Sequence, residues 1–262
     1  NSALSIKPDY SDAYVNIGNV FKDQEKFEEA IVAYNKALST DPDNAEAHYN
    51  MGNVFKDQEK LEEAVEAYNN ALSTEPDNAE AYYKRGLSYS SLRNWTDALP
   101  DYSEAIRIDT TNAEAYLCRA SVWEELGFYE DAISDYSRAV RIDTNYASAY
   151  YHRGILHSNL ENWDDAITDF SQVIKIDLDY TKEAYHNRGN VHYYRYSFTE
   201  AISDYSQAIK IDLDYAKAYY NRGLAREQLE KRSYGNKKYP YCADFKRACD
   251  LGYNGCNYNG CN

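Results

Sequence analysis

The sequence predicts an all-α protein made of antiparallel helix hairpins repeated along the chain, and three series of residues predict it. Glycine recurs at Gly18, Gly52 and Gly86, 34 residues apart, and again at Gly154, Gly189 and Gly223, with Ala120 at the intervening place. Alanine repeats in the same period at Ala30, Ala64, Ala98, Ala132, Ala166 and Ala201. So does a large ring, at Tyr34, Tyr68, Tyr102, Tyr136, Phe170 and Tyr205. Periodicity of this length is the mark of a repeat architecture, in which one unit buries its apolar face only by stacking on its neighbours.

One period, Ala45 to Asn78, gives the elements in order. His48, Met51, Gly52 and Phe55 fall on one stripe of a first helix. A break at Lys60 and Leu61 is followed by Leu61, Ala64, Val65, Tyr68, Ala71 and Leu72, the stripe of a second helix. Glu75-Pro76-Asp77-Asn78 ends it and supplies a cap for the next helix. Gly52 and Ala64 let two backbones approach, and the Tyr68 ring is expected to fill the space between hairpins. Pro100 lies inside a second helix and is expected to bend it or remove a hydrogen bond. A one-residue slip precedes Gly189 and is placed near Thr181, and the last hairpin needs a longer loop between Arg232 and Tyr241.

Composition agrees. Apolar residues make up 44% and aromatics 15%, enough to bury a core, and only 5 prolines interrupt 262 residues. No run approaches the roughly 18 apolar residues of a membrane helix. A net charge of −15 repels phosphate backbones and suits basic partners, with only a short basic pair at Lys237 and Lys238. Nucleic acid and membrane are therefore excluded as expected partners.

The aromatic-x2-apolar-Gly-x2-aromatic, Ala-x3-Tyr-x2-Ala and closing Pro pattern resembles the tetratricopeptide repeat. On that resemblance, seven repeats span 11–249, at 11–44, 45–78, 79–112, 113–146, 147–181, 182–215 and 216–249. The closing proline survives only as Pro42 and Pro76; Thr110, Thr144, Leu178 and Leu213 replace it later. Ala3-Leu4-Ser5 with Pro8-Asp9 matches Ala37-Leu38-Ser39 with Pro42-Asp43, so 1–10 is expected to end a preceding repeat. Residues 250–262 form a tail rich in Cys, Asn and Gly. The implied fold is a right-handed superhelical solenoid whose first helices line a concave groove for a peptide or protein segment.

The repeats are of two kinds. The first two carry Ile17 and Met51 before the glycine and Ala33 and Ala67 before the ring. The later five carry Arg85, Arg119, Arg153, Arg188 and Arg222 at the first place and Asp101, Asp135, Asp169, Asp204 and Asp244 at the second. The two residues arrive together, so each repeat is expected to hold a partly buried ion pair, bidentate where geometry allows.

Candidate groove positions form three series. The first is Asn16, Asn50, Lys84, Cys118, His152, Asn187 and Asn221; the second is Val15, Tyr49, Tyr83, Leu117, Tyr151, His186 and Tyr220. The third is Asn19, Asn53, Leu87, Ser121, Ile155, Asn190 and Leu224. An amide donates and accepts, so it can grip a peptide backbone without reading side chains. Asn16, Asn19, Asn50 and Asn53 resemble the asparagine ladder of the repeat domain in O-linked N-acetylglucosamine transferases; the plainer reading is solvated polar residues on a helix face. The clamp by which other family members hold a chaperone tail is matched by Asn19, Asn50 and Lys84, but Val15 and Glu80 stand where it needs lysine. Glu80, Glu114, Glu124 and Glu125 beside Tyr83 and Tyr151 suit a basic peptide.

No serine–histidine–acid arrangement or glycine-rich phosphate loop occurs, so no catalysis, cofactor or metal is expected; His152 and His186 could meet, but without further ligands. His157 and His192 replace core aromatics. Cys249 and Cys256 have the spacing of Sel1-like repeats, which implies a disulfide. Small core residues or a zinc site that includes Cys242 and Cys261 are the alternatives. Oxidised tail cysteines would point to a secreted or periplasmic setting and reduced ones to the cytoplasm. The function expected is a protein-binding scaffold; the alternative is a self-associating module or the regulatory repeats of a larger protein.

Overall fold

The computed structural model describes residues 10–176, 180–232 and 241–254. All regular structure there is helical and pairs off in order. The first four hairpins are α1 (Tyr10–Asp23) with α2 (Phe27–Thr40), α3 (Ala45–Asp57) with α4 (Leu61–Thr74), α5 (Ala79–Ser91) with α6 (Trp95–Ile108), and α7 (Ala113–Glu125) with α8 (Tyr129–Ile142). Three more follow: α9 (Ala147–Asn159) with α10 (Trp163–Ile176), α11 (Thr181–Tyr194) with α12 (Phe198–Ile211), and α13 (Ala216–Arg232) with α14 (Tyr241–Asp250).

The chain divides into two compact units, Asn1–Ile142 and Asp143–Asn262. Within each, the second helix of one hairpin packs on the first helix of the next, and successive first helices touch. The expected stack of hairpins is thus the architecture of each unit.

Local chemistry explains the elements. Each ring of the aromatic series is buried, and Gly52 shows why its partner is glycine: a Cβ there would come within 2.7 Å of the Tyr68 ring. The ring lies over the glycine of its own hairpin, and Tyr34 also joins a cluster with Ala47 and Val54 of the following repeat. The space it fills is therefore within the hairpin as well as between hairpins.

The turn inside each of the first six hairpins is a Schellman closure, as in the second, where Lys60 N–H bonds Phe55 O at 2.8 Å and Glu59 N–H bonds Lys56 O at 2.9 Å. It needs one left-handed residue. Gly127 supplies it in the fourth repeat, but Glu25, Glu59, Arg93, Glu161 and Tyr196 adopt φ of 57–64° at the equivalent places. No glycine marks those turns in the sequence.

Asn44, Asn78 and Asn112 cap α3, α5 and α7 through Oδ1, accepting from Ala47, Ala81 and Ala115 N–H at 2.8–2.9 Å. Tyr146, Tyr180 and Tyr215 take that place in the second unit, and neither Tyr146 nor Tyr180 caps with its side chain.

Pro100 leaves α6 at the same 14 residues as α2, α4 and α8. Only the Thr96 carbonyl loses a helical donor, at an exposed position, so the cost is local. The extra residue near position 181 is absorbed at the start of α11, which is 14 residues long where the other inner first helices have 13. Residues 1–9, Leu178, the Lys237–Lys238 pair and the loop expected between Arg232 and Tyr241 lie outside the described residues.

Candidate functional site: the first-helix faces

Three series of side chains were expected on the first-helix face, and they separate. The second series packs inward. Its rings meet the large ring of their own hairpin: Tyr49 on Tyr68 at 5.9 Å, Tyr83 on Tyr102 at 6.2 Å, Tyr151 on Phe170 at 6.1 Å, His186 on Tyr205 at 5.7 Å and Tyr220 on Phe245 at 5.5 Å. Val15, Tyr83 and His186 are buried. Tyr49, Leu117, Tyr151 and Tyr220 remain half-buried, so these side chains pack on the core of their own hairpin and keep part of their surface open. Position 49 is turned by about 100° from position 50 on the helix, toward the next hairpin.

The third series is held by the ring series. The hydroxyls of Tyr34, Tyr68 and Tyr205 donate to Oδ1 of Asn19, Asn53 and Asn190, each at 2.8 Å. Where the ring is Phe170 or Phe245 and has no hydroxyl, the matching residue is Ile155 or Leu224. Tyr102, facing Leu87, is satisfied instead by the Ser90 hydroxyl at 2.9 Å, and Tyr136 donates to Glu124 at 2.9 Å. These bonds keep buried phenols paired, and burial pushes every one of them upward in pKa.

The first series differs between the units. In the first, Asn16 is exposed and Asn50 is only 7% exposed; among the described residues neither amide has a hydrogen-bond partner. Asn19 is engaged at Oδ1 by Tyr34, and Asn53 is engaged by Tyr68 and also by the hydroxyl of Tyr49. Lys84 pairs with Glu80 at 3.3 Å and lies 5.3 Å from the Tyr83 ring centre. Cys118 is the free cysteine among the described residues; burial, with Glu114 beside it, pushes its thiol up to about 11.

In the second unit the amides bond to one another. Asn187 Nδ2 donates to the Tyr151 hydroxyl at 3.1 Å and its Oδ1 faces His186 Nδ1 at 3.3 Å. Asn221 Nδ2 reaches His186 Nε2 at 3.0 Å and Asn190 Oδ1 at 2.9 Å. This arrangement fits a neutral imidazole with its proton on Nδ1. Burial holds His186 near a pKa of about 4, and Tyr215 covers its ring at 5.2 Å. His186 is therefore bound up in this network rather than meeting His152, whose ring packs on Tyr151 at 5.7 Å.

The arginine and aspartate series sit away from this face. Asp101, Asp135, Asp169, Asp204 and Asp244 are each at most 5% exposed. All five arginines approach them through Nε and Nη2: Arg85 to Asp101 at 2.7 and 2.6 Å, Arg119 to Asp135 at 2.7 and 2.8 Å, and Arg153 to Asp169 at 2.8 and 2.6 Å. Arg188 meets Asp204 at 2.8 and 2.7 Å, and Arg222 meets Asp244 at 3.0 and 2.7 Å. The remaining Nη1 crosses to the preceding hairpin, from Arg85 to Asn69, Arg119 to Ser103, Arg188 to Ser171 and Arg222 to Ser206. Each guanidinium also lies 5.3–5.8 Å from the ring of the tyrosine three residues earlier. The sequence pairing pointed to Arg and Asp; the serine and tyrosine contacts were missed, though both recur at fixed offsets.

Among the described residues no group of three His, Cys, Asp or Glu could hold a metal ion, and no helix is long and apolar enough to cross a membrane. His157 and His192 are half-buried. Cys242 and Cys249 are both disulfide-bonded, while Cys256 and Cys261 lie outside the described residues.

The chain is similar to solved helical-repeat proteins. MamA shares 26% identity and a TM-score of 0.60, over 66% of this chain and 94% of that one. YrrB, described as "a TPR protein with an unusual peptide-binding site", shares 25% identity and a TM-score of 0.64, over 71% and 95%. A tetratricopeptide repeat protein from Parabacteroides merdae ATCC 43184, 22% identical, has the same fold over 94% of each chain with a TM-score of 0.62. No curated protein sequence matches the chain. Tetratricopeptide repeat models match residues 18–58, 52–93, 79–112, 124–161, 147–180 and 189–229, well over half the chain. The chain belongs to the tetratricopeptide repeat family, and its place is among that family's protein-interaction scaffolds.

Proposed function

We propose that the first-helix face of the N-terminal unit grips an extended segment of a partner protein, with Asn16, Asn50 and Asn53 bonding its backbone. One observation carries the reading: Asn50 is 7% exposed, yet its amide has no partner among the described residues. An amide with no partner in the protein keeps its donor and acceptor available, and a guest backbone offering N–H and C=O can take the place of water on it. Its amide atoms are not among those sealed from solvent, so a guest can reach them. The likeness to YrrB, a protein described as having a peptide-binding site, supports a peptide as the guest.

The partner's preferred charge is positive. The protein carries −15 overall, and Lys84, the cation of the first series, is already paired with Glu80. Glu114 is exposed beside Cys118 and bonded to Tyr83, which places a carboxylate where a lysine or arginine of the guest could meet it.

Titration with a panel of extended peptides, followed by fluorescence polarisation, tests this. Asn16→Ala with Asn50→Ala should weaken capture at least tenfold without moving the melting temperature; unchanged capture would place binding elsewhere.

A second reading, self-association, is favoured by one feature. Ile17, Val20 and Val32 are 45%, 55% and 55% exposed on the first hairpin. Concentration-dependent sedimentation abolished by Val32→Glu would support it.

A further inference from the structure

Helices α5, α6 and α7 enclose a cleft of about 340 Å³ on the first-helix side of the N-terminal unit, walled by Leu87, Trp95, Tyr102, Cys118 and Val122. Its origin is legible in the repeat register. The first two repeats place Asn19, Lys22 and Asp23 against Asn50, Asn53 and Asp57 at the corresponding positions; the third and fourth have Leu87, Ser90 and Ser91 against Cys118, Ser121 and Glu125. Long polar side chains have given way to leucine and short ones, so the space they would occupy is open and its walls are apolar. The corresponding place in the C-terminal unit carries Tyr193 and Tyr194 instead of serines and has shrunk to about 70 Å³.

We infer that this cleft is the anchor pocket for one bulky apolar side chain of the bound segment, in a peptide where that residue is flanked by lysine or arginine. The inference rests on the groove reading above and names what the groove selects. Apolar walls favour an aliphatic or aromatic side chain, because burying it removes apolar area from water. Glu125 lines the rim and is exposed, and Glu114 lies near the same thiol; Lys84 is also near it but is paired with Glu80, so the balance around the mouth is acidic and complements a basic flank. The thiol, held protonated by burial, behaves as a small apolar wall rather than a nucleophile.

The test is selection of random dodecapeptides displayed on phage against the full chain, followed by affinity measurement on synthetic copies. The selected peptides should converge on a bulky apolar residue beside Lys or Arg. Replacing that residue by alanine should weaken binding roughly tenfold to a hundredfold. Ser91→Phe, at an exposed residue lining the cleft, should impose a similar loss and leave the alanine peptide no further penalty. Leu87→Asn, the residue of the first two repeats, provides a second variant that restores a polar wall. Peptides that lose binding in the Asn16→Ala, Asn50→Ala double variant, yet show no apolar consensus and ignore Ser91→Phe and Leu87→Asn, would overturn the anchor and leave the groove standing. Absence of any selected peptide would overturn both. Self-association abolished by Ser91→Phe would assign the cleft to a second copy of the chain and also overturn the proposal.

Discussion

The first-helix faces of the two units carry the same residue type in the same register and use it in opposite ways. In the N-terminal unit Asn16 and Asn50 have no partner among the described residues, Asn19 is held by Tyr34, and Asn53 by Tyr68 and Tyr49. In the C-terminal unit Asn187, Asn190 and Asn221 are joined to Tyr151, Tyr205 and the buried His186. On the proposed reading, an asparagine ladder serves a guest in one unit, while in the other it is an internal brace. The second series marks the difference: Asn187 and Asn221 meet the two ring nitrogens of His186, where the N-terminal unit has Tyr49 and Tyr83.

The largest effect that would test this contrast lies behind the faces. Asp204→Ala should destabilise the C-terminal unit by about 3–5 kcal/mol, since Arg188 would stay mostly buried without its carboxylate. Replacing Arg85 with Met and Asp101 with Ala together, as in the second repeat, should cost far less. Urea titration of both variants checks the pair; equal losses would mean that the ion pairs contribute net stability rather than only requiring each other.

Acid should separate the units next. His186 has a folded pKa of about 4 against about 6.5 unfolded, because burial disfavours the imidazolium. The unfolded chain therefore takes up a proton first, and stability is lost as pH falls from about 6.5 to about 4, by about 3 kcal/mol in all. His192, also lowered by burial, adds to the loss with the same sign. Hydrogen exchange of the full chain should show α11 to α13 opening at pH 5 while α3 to α5 stay protected. His186→Asn should flatten that dependence.

Helix caps give a smaller difference. Asn78→Ala should cost about 1 kcal/mol, because Ala81 N–H loses its acceptor. Tyr180→Ala removes no cap and instead a ring packed 5.2 Å from Tyr151, so its cost should appear as lost side-chain packing rather than fraying at the start of α11. Smallest of all, Glu59→Gly should add about 0.5–1 kcal/mol by relieving a φ of 60°, and Gly127→Ala should subtract a similar amount. Thermal melts of the two turn variants would show opposite shifts.

Much of this was legible in the chain because the repeat turns one weak signal into several aligned ones. The hairpins, the Asn44, Asn78 and Asn112 caps and the partnership of Arg with Asp all follow from fixed offsets. Other features were not, for physical reasons. Positions 49 and 50 are both helical and polar or aromatic, and only packing in three dimensions decides that Tyr49 lies on Tyr68 while Asn50 has no partner among the described residues. The turn at Glu59 reveals nothing, since the Schellman bonds compensate a non-glycine residue. The bond from Tyr68 to Asn53 had a readable signal, since Phe170 and Phe245 face Ile155 and Leu224. Only contact geometry, however, shows the two side chains to be neighbours. The cleft between α5 and α7 arises from what Ser90 and Ser91 leave unfilled, and absent volume leaves no pattern in a chain.

The most direct measurement is the affinity of one captured peptide for two double variants of the full chain, Asn16→Ala with Asn50→Ala and Asn187→Ala with Asn221→Ala. The account predicts at least a tenfold loss of affinity with an unchanged melt for the first, and a lowered melt with near-native affinity for the second. The reverse result, affinity lost only through Asn187 and Asn221, would contradict it.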